Sequence, residues 1–326
     1  MKICVYFQPT IENDNFEGMR LRKNIKGALE LHNIPYAKNL LDTYDIVHFM
    51  SLDDEAKIID AKEANIPIVF SALYCENDNA ARILQDKNGI KTLSPKALKI
   101  LNKCDVVLVS DEFSRSLLQR DGVKVDVEIV SPGVNLSRFI FNSEIEEDIV
   151  YNYFQIEKEQ KIIATVGSYD KPKTIKQIIK IASLCPKYRF LYFGKAKLSR
   201  LIKTFKKIPS NLKLCPIMSD EIYCSMMKQS SIYLSLDNSS HSPIGLLDAA
   251  ASKSQVIALS PTNENEEILN NVRAYVCEDE KDVANTITNL LENKIESHVD
   301  EAYEFAKNNS LKNLGEHLIE IYSRLI

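Results

Sequence analysis

The sequence predicts an α/β protein of two Rossmann-like domains, each a parallel sheet covered on both faces by helices, facing one another across a cleft. Three observations carry this. The chain has 326 residues, more than one ordinary core needs and comfortable for two. Short β-branched and aromatic runs alternate with amphipathic stretches along most of it. That alternation then halts in an acidic stretch and starts afresh.

In the first half the apolar runs are Lys2–Phe7, Asp45–Phe49, Pro67–Ser71, Asp105–Ser110 and Val127–Ser131. Each is apolar at consecutive positions and flanked by polar turns. A strand with one wet face alternates; a strand buried on both faces of a parallel sheet has no reason to. Gly18–His32 places Leu21, Ile25, Ala28, Leu29 and His32 near helical spacing, and Ser94–Lys103 is similar. Phe141–Tyr153 carries Glu144, Glu146, Glu147 and Asp148 without a strand pattern, and is the expected boundary. Beyond it the expected strands are Lys161–Val166, Tyr188–Phe193, Asn211–Pro216, Ser231–Leu236, Gln255–Leu259 and Arg273–Val276. Helices are expected at Thr174–Leu184, Leu198–Ile208, Ser219–Lys228 and Ile244–Ser252. Ser297–Ile326 reads as helical throughout, with Leu311, Leu314, Leu318, Ile321 and Leu325 three and four residues apart. Strand-helix alternation with short connections means doubly wound sheets, whose ligands bind outside the carboxyl ends of the strands.

Composition narrows the function. The net charge of -4 provides no global field to recruit nucleic acid, so any anion site is local. Seven cysteines, an odd number without a Cys-x-x-Cys pair, read as reduced buried thiols rather than a disulfide framework or a zinc site. The five histidines show no metal-ligand spacing, so no metal is expected. Met1–Phe7 is too short an apolar run for a signal peptide, and no run reaches the roughly 18 residues of a membrane span. A cytoplasmic protein is expected, at most peripheral to a membrane.

Several segments together resemble the retaining family 4 glycosyltransferases of the GT-B fold. Val106–Phe139 (VVLVSDEFSRSLLQRDGVKVDVEIVSPGVNLSRF) is similar to the segment that closes their N-terminal domain, down to its Pro-Gly-Val turn. Ala164–Ala182 resembles their strand, glycine loop and lysine, and Tyr188–Gly194 their next strand. Leu234–Ser260 resembles the signature helix, whose usual form is Glu, seven residues, Glu; Phe305–Leu325 resembles their last helix. Asp45–His48 and Pro67–Tyr74 are similar to one branch of the family. The resemblance implies an acceptor-side domain at 1–145, a nucleotide-sugar-binding domain at 146–304 and a helix at 305–326 that crosses back to the first domain.

It also implies roles residue by residue. Gly167, Ser168, Lys171, Lys173, Ile244, Gly245, Leu246 and Asp248 would bind a nucleoside-diphosphate sugar, with no cofactor. Lys173, or equally Lys171, would face the departing diphosphate, where a cation stabilises developing charge. Asp248 stands at the second signature glutamate, which takes the ribose hydroxyls; aspartate keeps both acceptors on a stem one methylene shorter. Ser240, beside His241, stands at the first signature glutamate, Ser168 replaces the loop arginine, and the expected acceptor histidine is missing from Ser71–Tyr74. Ser240, His241 and Lys173 are the catalytic candidates, and Gly18, His48, Ser71 and Tyr74 the acceptor-side ones. Bland readings stand beside these: Ser242-Pro243 as a helix cap, His48 as a buried structural histidine, Asp53-Asp54-Glu55 as a helix start rather than a metal site.

The implied activity is retaining transfer, as by a hexosyltransferase, of a sugar to a polysaccharide, glycolipid or glycoprotein acceptor. Arg20, Arg22, Lys23 and Lys26, with Lys195–Lys207, either touch an anionic membrane bearing a lipid-linked acceptor or are ordinary solvated faces. Three departures at once keep another class open: a non-catalytic GT-B-fold partner or acceptor-binding subunit of a glycosylation complex.

Overall fold

The apolar runs that read as strands are strands. A computed structural model describes residues 1–7, 16–74, 84–85, 91–141, 143–169, 172–195, 207–216, 219–236, 244–259 and 266–326. The first half contains β1 (Ile3–Tyr6), α1 (Phe16–Leu31), β2 (Tyr36–Ala37), β3 (Ile46–Phe49), α2 (Glu55–Glu63) and β4 (Ile68–Ser71). A short antiparallel pair, β5 (Leu84–Gln85) and β6 (Lys91–Thr92), precedes α3 (Pro95–Leu101), β7 (Val106–Val109), α4 (Glu112–Arg120) and β8 (Asp126–Ile129). Strands β3, β4 and β7 are buried at every position, which is why their sequences do not alternate. Helix starts are set locally: Ser94, before Pro95, accepts from the Ala97 amide, and Asp111 accepts from the Ser114 amide.

The second half repeats the plan. After a 3-10 turn at Leu136–Phe139 come α5 (Glu144–Phe154), β9 (Ile162–Ser168), α6 (Pro172–Leu184), β10 (Arg189–Lys195) and β11 (Leu212–Pro216). Then follow α7 (Asp220–Gln229), β12 (Ser230–Ser235), α8 (Ile244–Ala251), β13 (Gln255–Leu259), β14 (Ala274–Cys277) and α9 (Glu280–Leu291). The chain ends with α10 (Val299–Asn308) and α11 (Leu311–Ser323). The expected helix at 198–208 falls mostly outside the described residues.

The two six-stranded sheets run β2-β1-β3-β4-β7-β8 and β11-β10-β9-β12-β13-β14, and all their pairings are parallel. In each the chain winds out one way from a central strand, then the other way. The winding reverses between β1 and β3 in the first sheet and between β9 and β12 in the second, and the crevice at such a reversal is where ligands bind. Strand β2 escapes sequence reading because two residues cannot display a period.

Packing changes hands earlier than the expected boundary at 145. Val134, Phe139, Val150 and Phe154 already belong to the core beneath the second sheet. The acidic stretch is α5, which buries Val150 and Phe154 on that core, and the chain crosses between domains at Pro132-Gly133-Val134. The return also differs from expectation. Ala302 and Ala306 of α10 pack on the second domain, whereas Leu311, Leu314, Leu318, Ile321 and Tyr322 of α11 pack on the first. The continuous C-terminal helix is therefore two helices, broken at Asn309-Ser310, where the chain recrosses. The crossings lie side by side: the Val134 amide donates to Asn309 O at 2.9 Å and the Leu311 amide to Val134 O at 3.1 Å.

Candidate functional site

Helix α8 brings the two domains into contact. Its sequence, IGLLDAAA, is apolar around most of its circumference and is buried at seven of its eight positions. Glycine is needed second, since a Cβ at Gly245 would stand 2.8 Å from the Tyr233 hydroxyl of β12. Ile244 inserts into the core of the first domain, while Leu246 and Leu247 pack in that of the second. The start of α8 is thus pinned at the interface by a side chain rather than left open to a cleft. Ser240 and His241, both catalytic candidates, lie outside the described residues.

Asp248, one turn further along α8, is the most charged point of this interface. Its side chain is 1% exposed and pairs with Arg20 of α1, across the domain boundary. Tyr223 of α7 donates its hydroxyl to the same oxygen, Oδ2, at 2.7 Å, and Arg138 Nη1 lies 3.5 Å from it. Arg20 also donates to the Tyr223 hydroxyl at 3.3 Å and stacks 5.2 Å from that ring. Arg138 reaches outward to Asp220 at 2.5 Å, and Lys23 meets Asp220 at 3.6 Å. Both domains and the chain linking them converge on one carboxylate. Burial alone would lower the pKa of Arg20, but the charge of Asp248, followed by Tyr223, more than offsets it and the net shift is upward. Burial, above all, raises the Tyr223 phenol well past its usual range. The arrangement sets the Arg20 guanidinium against the Asp248 side chain, with the phenol held in its neutral form.

The other donor candidates gather at the adjoining strand end. Gly167 and Ser168 finish β9, next to β12, whose connection leads to α8. A Cβ at Gly167 would fall 2.5 Å from the Tyr192 hydroxyl, so only glycine leaves room for that ring. Lys173 is exposed in the first turn of α6; Lys171 is outside the described residues. The β9/β12 reversal is therefore flanked by Gly167, Ser168 and Lys173 on one connection and by Gly245, Leu246 and Asp248 on the other.

The acceptor-side candidates are not disposed to meet a substrate. His48 is fully buried, with Nδ1 2.7 Å from the Tyr322 hydroxyl and Nε2 2.8 Å from Ser71 Oγ. Ser71 and Tyr74 are each 2% exposed, and Tyr74 donates its hydroxyl to Val130 O at 2.5 Å. These groups spend their polar atoms tying α11 to the first sheet and β4 to the segment after β8. Gly18 is buried in the first turn of α1 rather than in the preceding loop.

Burial holds the His48 pKa down, from 6.5 to about 3. A histidine depressed in the folded state contributes stability that is complete above pH 6.5 and is lost as pH falls toward 3. Between pH 7 and pH 5 this one site should remove about 2 kcal/mol of unfolding free energy, at ~1.4 kcal/mol per pH unit. Urea titrations at both pH values should show that loss shrinking by a similar amount in His48→Gln. An equal pH dependence in both proteins would refute the assignment.

Arg20, Arg138 and Tyr223 were not singled out for this site from sequence. Arg20 is one of the basic residues of α1; of its neighbours Arg22 donates to Val5 O at 3.3 Å and Lys26 lies 4.8 Å from the Tyr36 ring centre. The pairing of Arg20 with Asp248 spans 228 residues, beyond any local pattern. A cavity of about 190 Å³ lies beside the crossings, lined among others by Asp111, Ser131, Leu247, Phe305, Asn309 and His317. It contains one neighbour of the donor candidates, Leu247, and none of the candidates themselves. Among the described residues no group of His, Cys, Asp or Glu is placed to hold a metal ion, and no helix is long and apolar enough to cross a membrane.

Residues 151–310 match the family model described as glycosyl transferases group 1. The chain is 22% identical over 309 residues to the processive diacylglycerol alpha-glucosyltransferase of Acholeplasma laidlawii, an alignment covering 92% of this chain and 91% of that protein. Its structure is similar to that of Anabaena Alr3699/HepE in complex with UDP and glucose, with a TM-score of 0.71 at 14% identity, covering 99% of this chain and 100% of that one. A glycosyltransferase from Rickettsia africae gives 0.68 at 16% identity, covering 99% and 98%. With the two facing parallel sheets, these likenesses establish the GT-B fold.

Proposed function

From the premise that this is a GT-B glycosyltransferase whose C-terminal half carries a glycosyl transferases group 1 domain, we propose that it moves a hexose from UDP-sugar to a glycolipid or other glycan acceptor, with retention of anomeric configuration. The observation that carries this reading is the meeting of two connections at the β9/β12 reversal: the glycine-bearing end of β9 followed by Lys173, and α8 bearing Asp248. On this reading Asp248 meets the ribose hydroxyls, and Lys173 with Lys171 offsets the charge that builds on the leaving diphosphate. Ser240 and His241 stand next to the transferred sugar. Binding of UDP by the Anabaena protein and action on diacylglycerol by the Acholeplasma enzyme support the choice of base and acceptor. An acceptor borne at the membrane surface also accords with a protein peripheral to the inner face of a membrane.

The test is direct. Purified protein should consume UDP-glucose or a related UDP-sugar in mixed micelles of dioleoylglycerol, giving an α-linked product by NMR. Lys173→Ala should lower kcat at least tenfold with little change in KM for the acceptor. If calorimetry detects binding of neither UDP nor GDP, the enzyme reading fails, and the chain is better described as an acceptor-binding partner with the same fold.

A further inference from the structure

We propose that Arg20 is a positioning residue contributed by the first domain to nucleoside recognition in the second: it holds one oxygen of Asp248 so that the other is presented to a vicinal diol. The inference rests on the reading of Asp248 given above.

The contacts on this carboxylate, from Arg20 Nη2, Tyr223 Oη and Arg138 Nη1, all fall on Oδ2. Among the described residues Oδ1 accepts no hydrogen bond. A carboxylate has about four acceptor sites, so Asp248, 1% exposed, is saturated on one side and keeps acceptor capacity on the other. A diol is the ligand class that suits such an oxygen, because it brings two O–H donors and no charge. A phosphate would be repelled by the same atom.

Aspartate is shorter than the glutamate it stands for, and free rotation about its side chain would blur the aim of Oδ1. Arg20 and Tyr223 remove that freedom together, since the guanidinium binds both the carboxylate and the phenol and lies against the phenol ring. Arg20 stands on α1 of the opposite domain. The aim of Asp248 is therefore complete only while the domains are apposed, and nucleoside recognition is coupled to closure. The two guanidinium groups also offset the carboxylate charge that a nearby diphosphate would feel.

Calorimetric titration with UDP and with 2′-deoxy-UDP tests this. The wild-type protein should prefer UDP by about tenfold or more, because a site built to bond a hydroxyl rejects the analogue lacking it. In Arg20→Met the preference should narrow to about threefold or less, and Arg20→Lys should restore part of it. Tyr223→Phe removes one contact on Oδ2 while keeping the ring, and should narrow the ratio as well; it decides the matter if Arg20→Met does not fold. An undiminished preference in the folded variants would overturn the role of Arg20. Absence of UDP binding by the wild-type protein would instead bring down the donor reading itself.

Discussion

Asp248→Ala should abolish sugar-nucleotide turnover and lower the unfolding free energy by about 3–5 kcal/mol, the range seen when one partner of a buried ion pair is removed. The size follows from what stays behind. Arg20 is only 11% exposed, so its guanidinium stays buried in the interface when this carboxylate is removed, whereas Arg138 keeps Asp220 as a partner. The Tyr223 hydroxyl, in a residue 5% exposed, loses its carboxylate too. Replacing both members of the pair separates stability from function. Arg20→Met with Asp248→Leu leaves no uncompensated charge in the interface, and should recover most of the lost stability without recovering turnover. Urea denaturation of the single and double variants, beside a donor-hydrolysis assay, reads out both quantities. A single variant that unfolds within ~1 kcal/mol of wild type would mean that the cluster does not hold the domains. Unchanged hydrolysis would remove Asp248 from the donor site.

The ease with which the fold is read from sequence and the difficulty with its site have one physical origin. Parallel strands buried on both faces announce themselves as unbroken apolar runs, so the central strands Ile46–Phe49, Ile68–Ser71 and Gln255–Leu259 lie within or match the expected segments. The Asp248 position is legible because it sits inside a local pattern, LLDAAA. Its partners are not, because Arg20 and Asp248 meet through tertiary folding alone, and a lysine- and arginine-rich helix looks the same whether its charges face water or another domain. His48 teaches the same lesson. At a strand's carboxyl end it is indistinguishable from a substrate contact until Tyr322, 274 residues later, is seen to cover it. The acidic residues near the expected boundary at 145 read as linker, whereas the helix they occupy buries Val150 and Phe154. Ser240, His241 and Lys171 lie outside the described residues, so their roles rest on resemblance.

Gly133→Ala should destabilise the protein by about 2–5 kcal/mol, combining a left-handed backbone cost with overpacking. Gly133 has φ +71, and an added Cβ would stand 2.7 Å from one Leu314 methyl and 3.1 Å from one of Leu311. Those leucines begin α11, so the clash falls where the outgoing and returning crossings pair. The turn can yield little, because Asn24 of α1 donates to both Pro132 O and Gly133 O, at 3.2 and 2.8 Å. Gly122→Ala is the natural control. Gly122 also has positive φ, +100, but its nearest neighbours are Leu98 methyls at 3.9 Å, so that variant should carry the backbone cost alone, about 1–2 kcal/mol. The difference between the two, about 1–3 kcal/mol, measures the packing of α11 against the crossing. Since α11 also packs on α1, which carries Arg20, displacing it should weaken UDP binding in Gly133→Ala but not in Gly122→Ala. Equal stability losses in the two variants, or UDP binding unaffected in both, would show that the crossing does not transmit strain to the interface.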